Sequence, residues 1–430
     1  MSTQKSRFDL FSDSRSNLRK RIYLDYASLT PVAPEVLKVI KKYSSGEFAN
    51  PASLYEEGVN AKKVLAEARK KTADFFHAHP DEIIFTGSGT EANNLAVRGL
   101  IAKIRNCRPN VLFGTGVAKS VMPEDRSVLW RKIRKKRLHI ITSVIEHVSV
   151  LEPIGVLEKE GIDVTYVGVD SSGVVDIKEL KKALRPETVL VSIQYVNNEI
   201  GTIQPISEIA KLLRHSSKSI RYTLCAKPFF HTDASQATCY LPLYAEVLGA
   251  DLVTIDAHKC YGPRGIGLLY KKRNVPLLPL LFGGGQEYGF RPATENIPAI
   301  AGFAEALALI ETRRARDVRE ITLLRDYFIN KLLKINPRIE LNGDREKRLP
   351  NNVNISIKNI DNELFVLQLD AKGIAASTKS SCLRDEEESY VIRALGKGQG
   401  AKTAVRFSMG RETTKAELEY TLQEIKHLLR

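Results

Sequence analysis

Short apolar runs alternate with amphipathic stretches along the first two thirds of this 430-residue chain. The runs that read as strands are Glu82–Thr86, His139–Ser143, Val164–Val169, Val189–Val196, Phe229–Thr232, Leu252–Asp256 and Ile266–Tyr270. Helical patterns separate most of them. That alternation predicts an α/β fold: a mostly parallel sheet with helices on both faces. In such sheets ligands sit beyond the carboxyl ends of the strands. The residues that follow each apolar run are therefore the ones to read for chemistry.

The pattern changes after Tyr270. Pro276, Pro279 and Gly283-Gly-Gly285 mark a break. A long helix is predicted from Pro298 to about Leu333, then a strand Val353–Ile357, a helix near Glu363–Lys372, a strand Val405–Met409 and a helix from Thr414. This reads as a smaller α+β domain. The predicted division is a flexible basic arm over 1–20, a large domain over 21–274 whose first 15 or so residues pack with the small domain, and a small domain over 275–430. A weakly periodic stretch from about 106 to 137 reads as an insertion. Its basic run Arg131-Lys-Ile-Arg-Lys-Lys-Arg137 reads as a solvated face. Near the start, Leu54, Ala61, Leu65, Ala68 and Phe75 predict a helix over Pro51–His77 with Ser53 as its cap.

Composition narrows the class. Hydrophobic content of 43% and charged content of 27% are those of a soluble globular chain. No apolar run approaches the roughly 18 residues of a membrane span, and the first 21 residues lack the apolar core of a secretion signal. The formal net charge is +15. That favours acidic partners but does not specify chemistry. Direct nucleic-acid binding is not expected. Cys107, Cys225, Cys239, Cys260 and Cys382 form no CxxC pair, so neither a disulfide framework nor a metal site is expected. A reducing cytoplasm fits that usage.

Five strand ends carry chemistry. Leu252–Asp256 runs into His258-Lys259 and breaks at Gly262-Pro263. A lysine there faces a cleft, where desolvation favours its neutral, nucleophilic form. Phe229–Thr232 ends in Asp233. A lysine that can form a Schiff base, with a carboxylate to pair a pyridinium nitrogen, is what pyridoxal 5'-phosphate (PLP) requires. Thr86-Gly-Ser-Gly-Thr-Glu91 follows a strand and opens a helix. Its backbone N–H groups at Gly89 and Thr90 form a natural phosphate cradle. His147 follows His139–Ser143 and could stack on an aromatic cofactor, and Asn198 follows Val189–Val196. In the smaller domain, Arg406 on a strand offers a bidentate carboxylate site. Cys382 stands in a polar, unperiodic loop, where Lys379 and Arg384 favour its thiolate. The bland alternatives are strand caps, ordinary turns and a surface ion pair.

The motifs Tyr23-Leu-Asp-Tyr-Ala27, Asn50-Pro-Ala-Ser53, Val196-Asn-Asn-Glu-Ile-Gly201, His258-Lys259 with Tyr261-Gly-Pro263, Gly283-Gly-Gly-Gln-Glu287, Ser389-Tyr-Val-Ile-Arg-Ala-Leu-Gly396 and Arg406-Phe-Ser-Met-Gly-Arg411 occur in this order. From about Tyr23 to the C-terminus the chain resembles the cysteine desulfurases of the NifS/IscS type, within the class V aminotransferases. The resemblance implies a PLP enzyme of fold type I, a homodimer with shared active sites, and conversion of L-cysteine to L-alanine with a persulfide left on Cys382. By motif, Lys259 would hold PLP and act as base, and Asp233 would pair the pyridine nitrogen. His147 would stack on the ring, and Gln236 and Asn198 would face the ring oxygen and the substrate. Thr90 and His258, with position 256, would bind phosphate, and Thr294 would reach the partner subunit's phosphate. Arg406 would hold the cysteine carboxylate. The acceptor implied is a sulfur-acceptor protein, either an iron–sulfur cluster assembly scaffold or a tRNA-thiolating enzyme. Competing readings are a related PLP lyase or aminotransferase, which needs no loop thiol, and a degenerate PLP-binding scaffold.

Five departures stand out. Asp256 occupies a position where the family places a phosphate-binding serine. Tyr288 replaces an arginine, Ala293 a glycine and Lys379 a glycine. The loop from Cys382 to Tyr390 is one residue short. A carboxylate about 4 Å from a phosphate costs on the order of 4 kcal/mol at an effective dielectric near 20.

Overall fold

The structure is a computed structural model that describes residues 21–106, 137–220, 225–379 and 388–430. The basic arm, nearly all of the insertion including Arg131–Lys136, Cys107, Cys382 and Arg384 lie outside the described residues.

After a short strand β1 (Ile22–Tyr23) come the seven strands of the large sheet: β2 (Ile83–Thr86), β3 (His139–Ser143), β4 (Asp163–Val167), β5 (Thr188–Ser192), β6 (Phe229–Asp233), β7 (Leu252–Asp256) and β8 (Gly267–Lys271). Their spatial order is β2-β8-β7-β6-β5-β3-β4. Neighbours from β7 through β4 pair in parallel, while β8 is antiparallel to both β7 and β2. The reason lies in the connection. Only Ala257–Ile266 joins β7 to β8, too few residues for a helical crossover. Because β8 reverses twice, β2 runs in the same direction as β3 to β7. Six strands thus deliver their carboxyl ends to one edge. Strands β2, β3, β5, β7 and β8 are buried along their whole length, as expected for a sheet covered on both faces.

A second sheet holds β9 (Ile339–Leu341), β10 (Asn352–Ile357) and β12 (Ala404–Ser408), antiparallel in the order β12-β10-β9. The Ile297–Leu332 and Lys415–Leu428 helices contribute Phe328, Ile329, Leu418 and Ile425 to the core that also contains Phe407 of β12. Strand β1 pairs in parallel with β11 (Ile374–Ala375). The chain then continues beside β12, where the Ser408 amide donates to Leu24 O at 2.7 Å and the Ala27 amide to Ser408 Oγ at 2.9 Å.

Several sequence expectations need correction. The first long helix spans Glu56–Phe76, not Pro51–His77. Ser53 does not cap it. No side chain caps this helix, and Ser53 instead packs so closely on Gly58 that a Cβ there would fall 2.5 Å from Ser53 O. Leu54 lies before the helix, so helical periodicity does not govern it, and it is 96% exposed. The Val189–Val196 run is strand only to Ser192. Beyond it the Gln194 amide leaves the ladder for the Glu146 carboxylate. Among the described residues no helix is long and apolar enough to cross a membrane.

Candidate active site

The carboxyl ends of β2, β3, β5, β6 and β7, together with the Ala27–Ser28 turn and β12, enclose a cavity of about 270 Å³. Gly89, Thr90, His147, Asn198, Asp233, Gln236, Asp256, His258, Lys259 and Arg406 all line it. Of the candidate site residues, two do not. Thr294 is exposed on the segment after the Gly283 break, and Cys382 lies outside the described residues.

Lys259 ends a single helical turn, Ala257–Lys259, directly after β7. Its Nζ donates to Ala27 O at 2.9 Å and to Ser28 O at 2.7 Å. Gln236 Nε2 also donates to Ala27 O, at 2.9 Å. The Ala27–Thr30 turn in turn grips the lysine's backbone. The Thr30 amide and hydroxyl both donate to His258 O, at 3.0 and 2.9 Å, and the Tyr261 amide donates to Thr30 Oγ1 at 2.7 Å. The Tyr23–Ala27 motif, noticed in the sequence only as a resemblance, leads into the turn that aims the lysine.

Asp233 sits at the end of β6. Its Oδ1 accepts from the Ser235 amide at 2.9 Å and the Ser235 hydroxyl at 2.7 Å, and its Oδ2 accepts from Asn93 Nδ2 at 2.7 Å. Asn93 Nδ2 also donates to Ser149 Oγ at 2.8 Å, and that oxygen is 2.8 Å from His147 Nδ1. Since the Ser149 amide donates to the same Nδ1 at 3.2 Å, the ring carries its proton on Nε2. Burial holds the His147 pKa below its ordinary value, so the imidazole is neutral at pH 7. Behind it Glu146 is fully buried. It accepts from Ser143 Oγ at 2.5 Å and from the Gln194 amide at 2.8 Å, yet burial pushes its pKa up to about 8. Asn93, Ser149, Gln194 and Glu146 escaped the sequence reading. The spacing Asn93, three residues after Thr90, was the one usable signal, since it puts both on one helix face.

Arg406 is no surface pair. It is 1% exposed, and its Nη2 donates to Asp25 Oδ1 and Ser28 Oγ, both at 2.7 Å, while Nη1 donates to Asn198 O at 2.9 Å. Its Nε and the Asn198 Oδ1 are buried with no partner among the described residues. Both residues line the cavity.

At the opposite end, the helical run from Gly89 to Asn106 starts under β8. Gly267 makes room, since a Cβ there would meet Ser88 C at 2.5 Å. The Asp256 carboxylate, 6% exposed, accepts from the Gly89 amide at 2.6 Å and lies 2.5 Å from His258 Nδ1.

PLP fits this donor set at its ring and aldehyde. Lys259 is a primary amine held by two carbonyls, Asp233 a carboxylate for the ring nitrogen, His147 a neutral ring on the wall, and Asn198 Oδ1 an orphaned acceptor. The phosphate end offers Thr90 and the helix start, with one like charge, Asp256.

The cysteines separate by environment. Cys225, Cys239 and Cys260 are buried free thiols, and burial pushes Cys225 and Cys239 up to about 12. None is a nucleophile at neutral pH.

A class-V aminotransferase family model matches residues 22–115 and 101–421. The chain is 39% identical over 414 residues to the cysteine desulfurase IscS of Dictyoglomus turgidum, covering 96% of this chain and 95% of that protein. It is 38% identical over 416 residues to the cysteine desulfurase IscS of Methanosarcina thermophila, covering 96% and 93%. Among solved structures, a NifS-like protein aligns with a TM-score of 0.81 at 30% identity, covering 95% of this chain and 99% of that one. SspA in complex with cysteine aligns with a TM-score of 0.72 at 30% identity, covering 91% and 100%.

Proposed function

The chain belongs to the class-V aminotransferases and, within them, to the cysteine desulfurases, and from that membership we propose how its own residues take L-cysteine to L-alanine and retain the sulfur. The observation that carries the reading is the convergence on one cavity of Lys259, Asp233 and His147, from three strand ends, and of Arg406, from within β12.

PLP, when bound, supplies an electron sink for the pair released as bonds at the substrate's α- and β-carbons break. Lys259 would hold the cofactor through its aldehyde, and its amine, aimed by the carbonyls of Ala27 and Ser28, would take the substrate's α-proton. Asp233, fixed by Ser235 and Asn93, would pair with the pyridine nitrogen. His147, with its proton on Nε2, would lie against the ring. Arg406 Nε and Asn198 receive the substrate's carboxylate and amino end. The Cys382 thiolate attacks the substrate sulfur. The carbon–sulfur bond breaks, its electron pair stays with the carbon, and a proton completes the methyl group of alanine. Cys382 is left as a persulfide, and no external oxidant or reductant is consumed.

The same reading makes the protein a homodimer in which Thr294 reaches the partner's cofactor phosphate. Leu54 is 96% exposed, Phe282 89% and Phe48 69%, apolar exposure that calls for a covering surface. The working compartment is the cytoplasm, and the sulfur passes to an iron–sulfur scaffold or a tRNA-thiolating enzyme. The same reading divides the chain into a large domain over 21–274 and a small domain over 275–430 that carries Cys382.

The test is spectroscopic and chemical. Purified protein given PLP is expected to show the absorption of a lysine-bound cofactor, to change it on addition of L-cysteine, and to form alanine. Lys259→Ala is expected to abolish the absorption and the turnover together. Alanine formation that survives Lys259→Ala refutes the assignment.

A further inference from the structure

The helix start that lines the cavity carries an anion of the protein's own. Asp256 Oδ2 takes the Gly89 amide at 2.6 Å, the first amide of the helical run and the natural donor for a bound phosphate. Asp256 Oδ1 lies 2.5 Å from His258 Nδ1, which engages that ring nitrogen. The Gly87 amide is taken as well, by Glu91 Oε2 at 2.8 Å, and the Glu91 amide by Ser88 Oγ at 3.1 Å. Three donors around the helix start are therefore already spent, two of them on carboxylates. Thr90 and the Nε2 side of His258 line the cavity beside them. The Asp256 carboxylate cannot simply swing into solvent. Its side chain is 8% exposed, and a Cβ on Gly89 would already lie 3.1 Å from Asp256 Cβ.

We infer that Asp256 is a specificity-determining residue that sets this cavity against a phosphate dianion, so that the phosphate group adds far less to cofactor binding than a helix N-terminus ordinarily supplies. The inference rests on the reading of the cavity as a PLP site. Its consequence is a cofactor held mainly by its ring and by Lys259, and so exchanged with the free pool. The unphosphorylated aldehyde, pyridoxal, makes the same ring contacts without the charge, and its affinity relative to PLP isolates the phosphate contribution.

The experiment titrates the full-length apoprotein with PLP and with pyridoxal at pH 8, following the absorption of the lysine-bound chromophore. The parent is compared with Asp256→Ser and with Asp256→Asn, which keeps the shape and an acceptor for the Gly89 amide. Both variants are expected to raise the preference for PLP over pyridoxal by about 5- to 150-fold, with pyridoxal affinity unchanged. A preference that stays within about twofold of the parent in both variants overturns the inference and leaves the PLP reading intact. A chromophore with neither aldehyde in any of the three proteins overturns both.

Discussion

Removal of Arg69 is expected to be among the most damaging single changes outside the cavity. Arg69 stands in the Glu56–Phe76 helix, where it is 8% exposed. Its guanidinium donates to Glu287 Oε2 at 2.9 Å and Oε1 at 2.5 Å, and to Ile83 O at 2.7 Å. Glu287 is 5% exposed and also accepts from the Phe85 amide at 2.8 Å. This bidentate pair fastens β2 to the segment that carries Tyr288, Ala293 and Thr294. It also holds Glu287 and Tyr288 at φ of 47° and 58°, conformations that cost roughly 1–3 kcal/mol each and persist only when surrounding contacts enforce them. In Arg69→Met the carboxylate stays buried without its counter-charge, a loss of about 3–5 kcal/mol. Arg69→Met with Glu287→Gln removes the stranded charge as well, and most of that loss should return, because a well-packed neutral pair is worth about as much as a buried ionic one. Urea unfolding midpoints of the parent, the single and the double variant measure this. A single variant within about 1 kcal/mol of the parent, or a double variant no better than the single, refutes the reasoning.

Ala293 has φ of 108°, a region that L side chains rarely adopt. Ala293→Gly should raise the thermal midpoint by the equivalent of about 1 kcal/mol, strain relief outweighing the extra freedom of the unfolded chain; a lower midpoint would show the position to be unstrained. Glu146, whose folded pKa burial raises to about 8 from its ordinary value of 4.5, binds a proton in the folded chain where the unfolded chain has lost it. Its contribution is therefore fully present below the unfolded value and is lost as pH rises toward 8. Glu146→Gln should gain on the parent steadily from pH 5 to pH 8, by a few kcal/mol at most given about 1.4 kcal/mol per unit. A constant difference across that range would mean that Glu146 is ionised throughout.

Much of the cavity was legible because strand ends are short and punctuated. His258-Lys259 before Gly262-Pro263, Asp233 after Phe229–Thr232, and Gly89-Thr90 after an apolar strand all follow from one rule, that ligands lie beyond carboxyl ends. What stayed hidden depends on contacts across long stretches of sequence. Arg406 was readable as a carboxylate site on a strand, but its partner Asp25 stands 381 positions away, and no local pattern pairs them. Strand β1 is two residues long and pairs with another of two, β11, below the length at which alternation is readable. The antiparallel course of β8 follows from a connection length rather than from its own apolar run. Leu54 matched a helical period but precedes the helix, since periodicity does not mark where a helix starts. Asp256 was visible as a departure. Only the structure places its carboxylate on the Gly89 amide and the His258 ring.

The central claim is that sulfur leaves L-cysteine at this cavity and comes to rest on Cys382. Incubation with sulfur-labelled L-cysteine, followed by alkylation, proteolysis and mass spectrometry, locates it. The account requires a persulfide on the peptide containing Cys382 in the parent and no persulfide on that peptide in Lys259→Ala. Cys382→Ser should retain the cofactor absorption and its response to cysteine while losing the bound sulfur. Labelled sulfur on Cys107, Cys225, Cys239 or Cys260 in place of Cys382, or on Cys382 when Lys259 is absent, would contradict it.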